Sequence, residues 1–152
     1  MSENSRVVAA APDQVWRVLA DGWLYPLWVV GATRMREVDD HWPEVGACLY
    51  HSVGVWPAVL DDTTEVLESH APAFLRLRAR AWPTGEAEVE LRIDPADGGT
   101  RITIVEDAVK GPACLVPGPL RNAQLAWRNT ETLSRLAYLV ERREATAASG
   151  GA

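Results

Sequence analysis

Leu75-Arg-Leu-Arg-Ala-Arg-Ala81 and Glu86-Ala-Glu-Val-Glu-Leu-Arg-Ile93 both alternate with period two, the pattern of strands with one buried face and one wet face. Pro83-Thr-Gly85 lies between them and supplies turn residues, so the pair reads as a hairpin. Leu75, Leu77, Ala79, Val89, Leu91 and Ile93 share one face. Arg76, Arg78 and Arg80 share the other, opposite Glu86, Glu88 and Glu90, so unlike charges meet across the strands on the solvent side. The ladder is surface chemistry rather than a binding patch.

Outward from this hairpin, turn residues at Asp39-Asp40, Pro57, Pro72 and Asp97-Gly-Gly99 divide residues 32 to 109 into about six strands. In Thr100-Arg-Ile-Thr-Ile-Val-Glu-Asp107, alternation puts Ile102, Ile104 and Glu106 on one face, so a carboxylate shares the apolar side. Upstream, residues 5 to 10 are short and partly β-branched and read as a first strand. Pro12, Asp13 and the spacing of Val15, Trp16, Val18 and Leu19 open a helix, which Gly22 is expected to stop in the left-handed conformation. Pro26 within Trp23–Gly31 predicts a short, broken second helix.

Downstream, the Gly- and Pro-rich connection Gly111–Pro119 leads into the longest helical pattern, about Leu120 to Arg143. Its apolar side is read as Ala123, Ala126, Trp127, Thr130, Leu133, Leu136, Ala137 and Val140. Residues 145–152 read as a flexible C-terminal tail, which leaves 1–144 as a single domain. The predicted fold is α+β: a curved antiparallel sheet of about seven strands around a long C-terminal helix, with two short helices after strand 1.

Composition fits this reading. The 152 residues suit one domain, and 47% hydrophobic with 24% charged residues is ordinary for a globular chain. The formal charge is −6, and the basic residues are scattered, which argues against nucleic acid as a partner. No stretch reaches the roughly 20 apolar residues of a membrane span, and a cytoplasmic location is expected. Cys48 and Cys114 are far apart and lack a Cys-x-x-Cys pattern, so buried free thiols are expected. The histidines, His41, His51 and His70, fall on different segments. Neither a metal nor a cofactor is expected. Seven tryptophans against one phenylalanine is unusual. Tryptophan serves core edges and pocket walls alike.

The element order resembles the helix-grip fold of the START and birch-pollen-allergen (SRPBCC) superfamily, and within it the polyketide cyclase/dehydrase and lipid-transport group. The resemblance covers about residues 5 to 143. It rests on Ala-Pro-Asp-Gln-Val-Trp-Arg-Val-Leu at 11 to 19, Tyr25-Pro-Leu-Trp28, the Gly-Gly-Thr turn at 98 to 100, and Arg128-Asn-Thr-Glu-Thr-Leu-Ser-Arg-Leu-Ala137. It implies a cavity between sheet and C-terminal helix, opening near residues 22 to 32 and 110 to 119. The small residues Ala79, Ala81, Ala87 and Ala126 are consistent with open space there.

The expected ligand-binding residues are Tyr25, Trp28, His51, Val53, Leu77, Leu91, Ile104, Glu106 and Trp127. Trp28 is placed near the mouth and Trp127 opposite the sheet. Trp56 and Arg128 are rim candidates, and the facing of Asp62 is left open. His51 and Glu106 are the candidates for acid-base chemistry. The expected function is binding of a small, largely apolar ligand, such as a lipid, polyketide or aromatic metabolite, by a monomer or homodimer. One alternative is a cyclase/dehydratase-type enzyme. The other is a protein-interaction domain using exposed aromatics such as Trp42 and Trp82.

Overall fold

A computed structural model of the protein describes residues 1–81, 85–115 and 117–151. Trp82 and the turn residues Pro83 and Thr84 lie outside the described residues, as do Val116 and Ala152. Strand β1 (Ser2–Val8) is followed by helix α1 (Pro12–Leu19), a single 3-10 turn (Gly22–Leu24) and helix α2 (Tyr25–Trp28). Six strands come next: β2 (Ala32–Val38), β3 (Cys48–Val55), β4 (Ala58–His70), β5 (Phe74–Ala81), β6 (Gly85–Ala96) and β7 (Gly99–Lys110). After a second 3-10 turn (Pro112–Leu115), helix α3 runs over Gly118–Gly150. The strands form one antiparallel sheet in the order β1-β7-β6-β5-β4-β3-β2. This is the helix-grip arrangement expected from the sequence.

The hairpin that anchors the reading pairs as its alternation requires. Arg76, Arg78 and Arg80 face Glu90, Glu88 and Glu86, while Leu75, Leu77 and Ala79 face Leu91, Val89 and Ala87. The cross-strand ion pairs close at 3.9, 3.2 and 3.6 Å between partly or largely exposed side chains. Such pairs contribute about 0–1 kcal/mol each, so what holds the hairpin is its apolar face. That face joins Leu49, Val66, Ile93, Ile102 and Ile104 in a core capped by Val15, Val18 and Leu19 of α1 and by Leu133, Leu136, Ala137 and Val140 of α3.

Four local expectations need correction. The first strand lies earlier than residues 5 to 10, at Ser2–Val8, because it pairs with β7 from Glu106 to Thr100. Gly22 is not left-handed; it opens the 3-10 turn. It is glycine because a Cβ there would lie 2.6 Å from Leu49 Cδ2 and 2.8 Å from Val38 Cγ1. Helix α3 continues through residues 145 to 150, where the sequence predicts a tail, and that extension packs against little. Both cysteines are free, but neither is fully buried: Cys48 is half-buried and Cys114 is exposed.

Candidate functional site

The sheet register explains why space remains inside. Going from one end of the sheet to the other, the inward rows are Leu75–Leu91–Ile104, then Val66–Leu77–Val89–Glu106, then Thr64–Ala79–Ala87–Ala108. The side chains shrink abruptly in the third row, towards the end where α3 begins. Of that row, Ala79 borders the space left beneath Arg128, Asn129 and Thr132 of α3. A cavity of about 100 Å³ results, walled by the sheet, by α3 and by the segment from Tyr25 to Ala32. A void of this kind in close-packed protein stays open only where neighbouring side chains are too short to reach across it.

Most of the lining is apolar: Val29, Val30, Val53, Leu77, Val89, Leu91 and Ile104, with the ring of Trp28. The polar groups fall into two sets. In the first, Thr64 Oγ1 lies 2.9 Å from His51 Nε2 and 3.2 Å from the Tyr25 hydroxyl, which links three buried side chains. The Tyr25 and His51 rings lie 5.2 Å apart, and Trp28 meets Tyr25 edge-on at 5.3 Å. Burial raises the Tyr25 hydroxyl to about 12, so it stays protonated at neutral pH. Burial, helped by the charge of Arg36, lowers His51 to about 4, so its imidazole is neutral. Nδ1 of that ring has no partner among the described residues.

In the second set, Glu106 is 3% exposed and is held by the guanidinium of Arg128 on α3. Unpaired, a buried carboxylate would carry a penalty of several kcal/mol. Arg128 supplies the partner and remains half-exposed at the rim. Beside it, Asn129 and Thr132 face inward from α3; Thr132 Oγ1 accepts the backbone N–H of Val30 at 3.3 Å. Asp62 pairs in register with His51 and is buried, which settles its facing as inward. It does not line the cavity, and burial raises its pKa.

Of the residues singled out from sequence, Tyr25, Trp28, His51, Val53, Leu77, Leu91, Ile104 and Glu106 all line this one cavity. Trp127 does not: it is 70% exposed on the solvent face of α3. The face turned inward is instead Arg128, Asn129 and Thr132, followed by Leu133, Leu136, Ala137 and Val140. Arg128, expected at the rim, also holds Glu106. Thr64, Asn129 and Thr132 were missed, because isolated polar residues inside an apolar pattern read as solvated. The cavity borders the expected mouth segment at residues 22 to 32, whereas no described residue of 110 to 119 lines it. Trp56 projects into solvent from the β3–β4 hairpin, with 85% of its surface exposed. Trp42, expected to be exposed, is buried and donates its indole N–H to the Leu19 carbonyl at 3.0 Å. Trp82 lies outside the described residues.

Among the described residues, no three His, Cys, Asp or Glu side chains gather closely enough to hold a metal ion. No described helix is long and apolar enough to cross a membrane.

No curated protein matches the chain. Solved structures do, at the level of fold. Protein CV1439 from Chromobacterium violaceum is 22% identical, with a TM-score of 0.65 over 91% of this chain and 96% of that one. The di-domain ARO/CYC StfQ from the steffimycin biosynthetic pathway is 13% identical, with a TM-score of 0.72 over 94% of this chain and 51% of that one. Ara h 8.0201 is 14% identical, with a TM-score of 0.70 over 92% of this chain and 96% of that one. A family model described as polyketide cyclase/dehydrase and lipid transport matches residues 2–141. By that near-complete match and by its helix-grip fold, the chain belongs to the polyketide cyclase/dehydrase and lipid-transport family of the SRPBCC superfamily.

Proposed function

We propose that the protein binds a small, largely apolar molecule inside the cavity between sheet and α3, and that it does so without chemical transformation. The observation that carries this reading is the lining itself: a predominantly apolar pocket with a few convergent polar groups, bordered by the buried Trp28 and Asn129. Size narrows the ligand. An apolar hole of roughly 150 Å³ accommodates one benzene ring; at about 100 Å³ this cavity is smaller, so a one-ring compound is the upper size and its entry pushes the walls slightly outward. A long acyl chain or a multi-ring polyketide requires the segment from Trp28 to Ala32 to move aside.

The cyclase-type alternative is favoured by one observation, that His51 and Glu106 line the same cavity. Their states argue against it. An imidazole lowered to about 4 is a weak base at neutral pH, and a carboxylate already held by Arg128 is poorly placed to take up a proton.

The reading is tested by following melting temperature and tryptophan fluorescence against a graded series from benzene derivatives to a hexadecyl chain, with Ala79→Leu as a variant that fills the space. Stabilisation by the one-ring compounds, lost in Ala79→Leu, is expected. Absence of response across the whole series overturns it.

A further inference from the structure

The cavity's unpaired polar groups are mostly donors. Trp28 is 4% exposed, and its indole N–H, which can only donate, has no partner among the described residues. Asn129 is 3% exposed and its Nδ2 is likewise unpartnered. Thr132 Oγ1 already accepts the Val30 N–H, so its own proton remains free to donate. A buried donor left unmatched has given up its hydrogen bond to water without a replacement. Trp28 on α2 and Asn129 and Thr132 on α3 all border the cavity, and an acceptor from outside the chain would satisfy them; the third unpartnered nitrogen, His51 Nδ1, donates or accepts according to its tautomer.

Charge is already balanced. The two cations that reach the lining, Arg80 and Arg128, pair with Glu86 and Glu106. An anionic ligand would add a carboxylate beside Glu106 without a free cation to meet it. A cationic ligand would have to take Glu106 away from Arg128. Either change places an uncompensated charge in an apolar enclosure.

We infer that the cavity selects a neutral, one-ring aromatic compound bearing a hydrogen-bond-accepting oxygen, such as an aryl ketone, over the hydrocarbon, carboxylate or ammonium of the same size. This rests on the ligand-binding reading above and specifies its ligand class. The oxygen is received by Trp28 Nε1 and the Asn129 amide, with the Thr132 hydroxyl adjacent, and the ring lies against Leu91 and Ile104.

The test compares acetophenone, ethylbenzene, benzoate and 1-phenylethylamine at pH 7.5 by titration calorimetry. The affinities of the two neutral compounds are referred to their own transfer from water into hydrocarbon, so that solubility does not stand in for recognition; the charged compounds are compared by dissociation constant. Acetophenone is expected to bind about tenfold more tightly than ethylbenzene on that scale, a factor in keeping with one well-made hydrogen bond. Both charged compounds are expected to bind at least tenfold more weakly than acetophenone. Asn129→Leu and Trp28→Phe are each expected to erase most of the ketone's advantage while leaving ethylbenzene within about twofold; if one variant does not fold, the wild-type ranking and the other variant decide. Ethylbenzene binding as well as acetophenone, or a charged compound binding best, overturns the inference and leaves cavity binding intact. No heat with any of the four overturns both.

Discussion

His51 shows how a single residue's burial becomes a property of the whole chain. Its ring takes up a proton near pH 6.5 when unfolded but only near pH 4 when folded, because desolvation and Arg36 disfavour the charged form. Between those values the unfolded state binds more protons, so stability falls as pH drops from about 6.5 towards 4 and levels off below. The loss is on the order of 3 kcal/mol in total. Asp62 acts in the opposite sense: its pKa is raised in the fold, so the native state takes up that proton first and gains stability as acid is added. Urea unfolding at pH 7 and pH 5 separates the two when wild type is compared with His51→Asn, since Asp62 is common to both. A flatter pH dependence in the variant is expected, and parallel slopes contradict the assignment. The Glu106–Arg128 pair makes a second test at this scale. Arg128→Leu strands a buried carboxylate and is expected to cost about 2 kcal/mol or more, less than a fully enclosed pair because the arginine is half-exposed. Glu106→Gln added to it should restore most of that loss in a denaturant melt. Additive losses would mean the two residues do not act together.

Helix α3 shows how far a sequence pattern carries and where it misleads. In its C-terminal half, Leu133, Leu136, Ala137 and Val140 are both apolar and buried, so composition and geometry agree. In its N-terminal half they separate. Trp127 and Leu136 are nine residues apart, which at about 100° per residue puts them on opposite faces, whereas Asn129 and Leu136 are seven apart and share one. Choosing the stripe by hydrophobicity drew Trp127 inward; following its angle selects Asn129 and Thr132. The polar stripe is the one that faces the cavity, because a cavity wall, unlike a filled core, can present hydrogen-bonding groups. Strands β5 and β6 were legible for the converse reason, since period two admits only two faces and the Arg/Glu ladder identifies the wet one. Local sequence makes Gly22 a stop signal, since a close approach between distant segments leaves no mark there. The faces of α3 can be distinguished by equilibrium unfolding. Trp127→Ala is expected to change stability by less than about 0.5 kcal/mol, and Leu136→Ala to cost about 2–5 kcal/mol. The reverse ranking contradicts the orientation of the helix.

At the scale of the molecule, one sheet closes on one helix, and its two ends differ. Where Leu75, Ile93, Ile102, Leu136 and Val140 cluster in the core, the interior is filled. Where Leu77, Ala79, Val89, Leu91 and Ile104 lie beneath Arg128, Asn129 and Thr132 of α3, it is not. The family resemblance implies such a space, and strand alternation puts Glu106 on the apolar side that borders it. The chemistry of the opposite wall required the helix's rotation, which only the assembled fold supplies. The central claim is that this unfilled end is a ligand site. A crystal structure of the protein grown with saturating acetophenone addresses it directly. The expected result is density for one ring enclosed by Leu91, Ile104 and Trp28, with its oxygen within hydrogen-bonding distance of Trp28 Nε1 or the Asn129 amide. A cavity holding only ordered water, or closed by its own side chains while the compound is absent, would contradict it.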